Sequence, residues 1–145
     1  MFVKMEHAAL SVKDMDKALA FYCDVIGFTK VFDREFDVQM ARLLGIEGTQ
    51  VRIVHLKLGE SMLELFHYKH PEGREPRPDR QQSDFGLTHI GFEVEDFWGT
   101  YQHLIDHGVK FLTEPLEFRP GVFVGYFHGA EYEVCEIKEI VSQSG

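Results

Sequence analysis

The chain carries its own outline twice. His7-Ala-Ala-Leu-Ser-Val-Lys-Asp14 reappears as His89-Ile-Gly-Phe-Glu-Val-Glu-Asp96, at a constant offset of 82 residues. In both copies a His opens an alternating run, a Val follows five residues later, and an Asp follows two after that. A helix-like stretch comes next: Asp14 to Ile26 closed by Gly27-Phe28, and Asp96 to His107 closed by Gly108-Val109. Asp ahead of a periodic apolar run reads as an N-cap, whose carboxylate accepts from the first free backbone N–H groups. Gly behind the run reads as its left-handed stop. A second match closes each copy, Ser61-Met-Leu-Glu64-Leu-Phe with Glu133-Val-Cys-Glu136-Ile-Lys, at an offset of 72. The second copy is therefore about ten residues shorter. The surplus of the first lies in Asp33 to Gln50, where Val38 to Leu44 is expected to form a short extra helix.

Each copy thus reads as strand, helix, then several strands, and the fold class expected is α+β, two tandem βαβββ modules. Candidate strands are 5–12, 28–33, 50–58 and 61–68 in the first, and 87–94, 109–113, 121–127 and 132–139 in the second. Gly59-Glu60 and Gly129-Ala130 are expected to be tight turns between strands. The Pro-rich, charged stretch from His70 to Asp84 has no periodicity and reads as a linker or lid. The expected organisation is one domain, with module one at 1–68, a linker at 69–85, module two at 86–140 and a tail at 141–145.

Composition decides what kind of protein this is. A 44% hydrophobic content with 13 Phe is globular and large enough at 145 residues to bury a core without disulfides or a structural metal. A net charge of −9 disfavours nucleic acid and anionic membrane as partners, since phosphates attract Lys and Arg. Cys23 and Cys135 are far apart and form neither a thiolate cluster nor a disulfide framework. The opening residues carry no signal-like apolar run, and no stretch reaches the ~20 apolar residues of a membrane span. A cytoplasmic protein is expected.

Alternation places the polar residues of the repeat. In the first strand Ala8, Leu10 and Val12 share one face, and His7, Ala9 and Ser11 the other; in the second copy Ile90, Phe92 and Val94 oppose His89, Gly91 and Glu93. The larger apolar face belongs against the module's helix. The face with small neighbours beside a His leaves room for an ion and a ligand. Glu64 and Glu136 sit inside apolar strands, where an unpaired carboxylate is costly and a divalent cation removes the cost. His7, Glu64, His89 and Glu136 are therefore expected to ligate one divalent ion. Two imidazoles and two carboxylates suit Zn, Ni, Co, Mn or Fe(II), and suit neither a thiolate site nor an all-oxygen Ca site. Such an ion would stabilise charge developing on a carbonyl oxygen.

The chain resembles the vicinal oxygen chelate superfamily, the glyoxalase, bleomycin-resistance and extradiol dioxygenase group. The resemblance is carried by the His7 strand, Ala20-Phe-Tyr-Cys-Asp-Val-Ile-Gly-Phe28, Met62-Leu-Glu-Leu65, Gly86-Leu-Thr-His-Ile-Gly-Phe92 and the closing Glu136. It implies that the paired modules form an open, barrel-like cup around the metal, and that two copies form a homodimer. The order His, Glu, His, Glu is similar to bacterial glyoxalase I; methylmalonyl-CoA epimerases resemble it with Gln at the position of Glu64. An extradiol dioxygenase would use His7, His89 and Glu136 around Fe(II), with no role for Glu64.

The function expected is thus a metal-dependent isomerase or lyase of glyoxalase or epimerase type, acting on a small oxygenated substrate. Glu136 or Glu64 would move a proton beside a carbonyl. The alternatives are an Fe(II) dioxygenase and a non-catalytic protein that sequesters a flat ligand, as bleomycin-resistance proteins do. Arg74, Arg77 and Arg80 in the linker, and Arg119 in a later loop, are candidate contacts to an anionic substrate, although nearby acidic residues favour plain solvated charge. His103 and His107 read as helix-end residues, and Cys135 as packing on the face opposite Glu136.

Overall fold

The computed structural model describes residues 1–141, and the chain divides into two compact units, Met1–Glu75 and Pro76–Gly145. The first contains a four-stranded sheet in the order β1-β4-β3-β2, built from β1 (Ala8–Ser11), β2 (Thr29–Phe36), β3 (Gln50–Leu58) and β4 (Ser61–His70). The second repeats that order as β5-β8-β7-β6, from β5 (His89–Glu93), β6 (Leu116–Arg119), β7 (Val122–His128) and β8 (Val134–Ile140). The sequence repeat is therefore a repeat of topology. Each first strand lies parallel to the last, a pairing that requires a crossover, and the remaining pairs are antiparallel.

The crossover helices form where the caps put them. Asp14 accepts from the Lys17 N–H at 3.1 Å and opens α1 (Met15–Leu19), which runs on as a π-helical segment over Ala20–Ile26. Gly27 stops it at φ 109°, in the left-handed region that a side chain would resist. Met15, Ala18 and Tyr22 from this helix are buried, together with Val12, which follows β1, and Val54, Leu56, Leu63 and Leu65 of the sheet. In the second unit Asp96 accepts from Gly99 N–H at 3.2 Å to open α3 (Phe97–Asp106), whose Phe97 and Leu104 are buried. Phe97 packs against Phe123 of β7 at a centroid distance of 5.9 Å. The extra helix expected in the first copy is α2, Val38–Leu44.

One strand lies elsewhere than expected. The stretch 109–113 makes only an isolated bridge, Phe111 to Phe127, and the fourth strand of the second sheet is β6 at Leu116–Arg119. The apolar signal of 109–113 centres on Phe111, which packs between Tyr101 of α3 and Phe127 of β7. Leu116-Glu-Phe-Arg119 does alternate apolar and polar, a signal that sequence reasoning passed over, and all four positions are exposed. Gly59-Glu60 turns as expected between β3 and β4. Among the described residues, no helix is long and apolar enough to cross a membrane.

Candidate metal and catalytic half-sites

In each sheet the face of the last strand's glutamate carries one imidazole–carboxylate pair. In the first unit Ala9 stands opposite Glu64 in the β1–β4 ladder, so His7, two residues earlier, shares the face of that carboxylate. His7 Nδ1 lies 3.1 Å from Glu64 Oε2 and also contacts Glu6. The His7 contact holds the Glu6 carboxyl below its ordinary range. Donor atoms of Glu6, His7 and Glu64 all fall within 4.8 Å of one another. Glu64 is only 8% exposed, and its neighbours are side chains able to compensate its charge.

The second unit repeats the arrangement. Gly91 stands opposite Glu136 in the β5–β8 ladder, and His89 Nε2 lies 2.9 Å from Glu136 Oε2. The other ring nitrogen, Nδ1, is 2.8 Å from Thr88 Oγ1, which fixes the plane of the ring. A Cβ at Gly91 would stand 3.8 Å from Glu136 Oε2, so the glycine leaves space beside the carboxylate. That space belongs to a pocket of ≈ 330 Å³ lined by Gly91, Phe92, Glu93, Glu136, Lys138 and Ile140. Cys135 is fully buried on the opposite face, as alternation requires.

Sequence reasoning missed the residue facing each glutamate from the neighbouring strand. His55 pairs with Glu64 across the β3–β4 hairpin, its Nε2 3.3 Å from Glu64 Oε1. Tyr126 pairs with Glu136 across β7–β8 and sets its ring edge-on to His89, 5.1 Å between centroids. Burial raises the Tyr126 phenol above its ordinary range, helped by the charge of Glu136 and a hydrogen bond to it. The signal for His55 was available: a two-residue turn at Gly59-Glu60 makes Leu58 face Ser61, and stepping back three pairs brings His55 to Glu64.

The candidate substrate arginines are all exposed. Arg77 forms a two-pronged contact with Asp79, and Arg80 donates to the Leu87 carbonyl at 3.0 Å. Arg74 stays in the stretch after β4, and Arg119 closes β6 opposite Val122. His103 and His107 lie ring to ring on α3 and its end, 4.4 Å between centroids.

Residues 4–124 match the family model described as the glyoxalase/bleomycin resistance protein/dioxygenase superfamily. A 2-epi-5-epi-valiolone epimerase from Actinomyces sp. is 35% identical over 130 residues, 85% of this chain and 69% of the epimerase. A probable lactoylglutathione lyase from Synechocystis is 28% identical, over 81% of this chain and 80% of the lyase. Among solved structures, a glyoxalase family protein from Bacillus cereus has a TM-score of 0.88 at 20% identity, covering 98% of this chain and 97% of that one. The fosfomycin resistance protein FosX from Listeria monocytogenes, solved with Mn(II) and a sulfate ion, has a TM-score of 0.63 at 13% identity over 96% of this chain and 93% of its own.

Proposed function

Because the chain belongs to the glyoxalase/bleomycin resistance protein/dioxygenase superfamily, we propose that it is a metal-dependent isomerase or lyase of glyoxalase and epimerase type. In this proposal His7, Glu64, His89 and Glu136 hold one divalent ion, Ni, Co, Zn, Mn or Fe, either within a chain or between two copies in a homodimer. The setting is cytoplasmic.

The observation that carries the proposal is the duplication of the imidazole–carboxylate pair, His7 with Glu64 and His89 with Glu136, at equivalent places in the two sheets. The donors present fit a borderline divalent ion, and a cation compensates the burial of Glu64. The equivalence of Glu64 and Glu136 in their ladders supports a four-donor set over the two-His, one-Glu set of a dioxygenase. When bound, the ion supplies Lewis acidity toward a substrate carbonyl.

The remaining work falls to the chain. Glu136 lines a pocket beside the space left by Gly91, which suits it to take a proton from a carbon next to a carbonyl and return it. Glu93 and Lys138 on the same pocket supply an acceptor and a cationic donor for substrate oxygens. Exposed Arg74, Arg77 and Arg119 are offered as outer contacts for an anionic substituent.

The test is exchange of the substrate α-proton with deuterated solvent, followed by NMR. Acyl-CoA, hemithioacetal and valiolone-type substrates are presented to metal-loaded native protein and Glu136→Gln. Exchange by the native protein, lost in a variant that still binds metal, supports the proposal. Full exchange in metal-loaded Glu136→Gln overturns the proton-transfer role, and a native protein that binds none of these ions overturns the metal.

A further inference from the structure

The strongest group outside the four proposed ligands is His55, which shares the sheet face of Glu64. Its Nε2 reaches the oxygen of Glu64 that His7 does not face: Oε1 at 3.3 Å, against His7 Nδ1 on Oε2 at 3.1 Å. The ring is held from two sides. The β3–β4 ladder puts its backbone directly opposite Glu64. Phe32 of β2 stacks on it, 4.5 Å between centroids and 26° between planes. Phe32 is itself stacked by Phe36 at 6.1 Å and approached by the Arg34 guanidinium at 5.5 Å.

We propose that His55 is a positioning residue, whose imidazole N–H occupies Glu64 Oε1 and leaves Oε2 alone for the ion. The inference rests on the metal-binding role given above to Glu64. A carboxylate offers two oxygens, and one that binds through both takes two coordination positions. With Oε1 engaged by His55, Glu64 takes one, and a position stays open for water or a substrate oxygen. In the repeat the equivalent ladder position, opposite Glu136, is held by Tyr126, which also carries a polar group on its ring. The two glutamates are thus supported differently. Glu64 lies between two imidazoles as a fixed ligand, and Glu136, on the pocket, keeps the proton-transfer role.

Cobalt(II) titration followed by visible absorption separates the outcomes, using the full chain. His55→Phe keeps a ring against Phe32 and lacks the donor; His55→Gln restores an amide N–H at about the reach of Nε2. Loss of a supporting hydrogen bond to a ligand predicts affinity about 10–100-fold weaker in His55→Phe, and within about threefold of native in His55→Gln. The cobalt bands of His55→Phe weaken as the second oxygen joins the ion, and the metal-free melting temperatures of all three proteins agree. His55→Asn, whose amide stops short of Glu64, repeats the loss if Phe is not accommodated. Native affinity and spectrum in both donor-less variants overturn the inference alone. A His55→Gln as weak as His55→Phe also overturns it, because packing would then explain the loss. Absence of cobalt binding by native protein overturns the metal proposal and this inference together.

Discussion

His89 presents Nε2 to Glu136, at 2.9 Å, whereas His7 presents Nδ1 to Glu64, at 3.1 Å. Equivalent residues of the repeat thus use different ring nitrogens. Either imidazole is exposed enough to be cut back without opening the core. His7→Ala and His89→Ala are each expected to lose more divalent-ion affinity than the roughly 10–100-fold that removing a supporting group costs. Both should keep the metal-free melting temperature of the native protein. Calorimetric titration with Ni(II) or Mn(II), alongside thermal melts, checks this.

The use of Nε2 by His89 depends on what holds its other nitrogen. Thr88 Oγ1 sits 2.8 Å from Nδ1. Thr88→Val keeps the shape of the side chain and removes the hydroxyl, so the ring is free to turn. Metal affinity is expected to fall about tenfold, the lower end for a lost orienting partner. Thr88→Ser, which restores the hydroxyl, is expected to recover it.

An acid limb of stability belongs to Asp33. Arg52 donates to both of its oxygens, at 2.9 and 2.7 Å, and Lys30 adds a third contact at 3.0 Å. These hold its carboxyl well below the ordinary range, the hydrogen bonds from Arg52 foremost. A depressed folded-state pKa contributes stability that is present above the unfolded value, near 4, and drains as pH falls through the folded one. Asp33→Asn is expected to cost about 1–2 kcal/mol at neutral pH, the range for a charge-assisted pair that is partly screened. Urea melts at pH 7, 4 and 2.5 should show the gap between native and variant closing toward acid.

Gly27 offers a cleaner test of backbone strain. Its φ is +109°, and an added Cβ would meet nothing within 4 Å. Gly27→Ala is therefore expected to lose about 1–2 kcal/mol through the left-handed backbone alone. A urea midpoint that falls with an unchanged slope is the expected result.

The sequence displayed the parts of the fold that bury apolar side chains or demand a special backbone. The Asp14 and Asp96 caps, the Gly27 stop and the alternation of Leu10 and Val12 against His7 and Ala9 all recur in the structure. Strand β6 was overlooked although Leu116-Glu-Phe-Arg119 alternates, because the run is only four residues long and none of them is buried. The π-helical continuation of α1 was illegible, since one extra residue per turn alters no residue type. At the candidate site, each His could be paired with a Glu by the repeat itself, but His55 and Tyr126 differ in kind and so escaped a search for likeness.

The parallel β1–β4 ladder has a consequence for the order of assembly. The β3–β4 hairpin closes through two residues, so His55 meets Glu64 across a short loop that forms early and cheaply in entropy. Strand β1 has four residues, lies at the sheet edge, and reaches β4 only after the whole intervening chain is gathered. Short edge strands open at lower free energy than central ones. His7 is thereby the last donor of its half-site to arrive and the first to leave. Slowly exchanging amides should persist in β3 and β4 after those of β1 have gone, and the grip on an ion should loosen by peeling of an edge well before the unit unfolds.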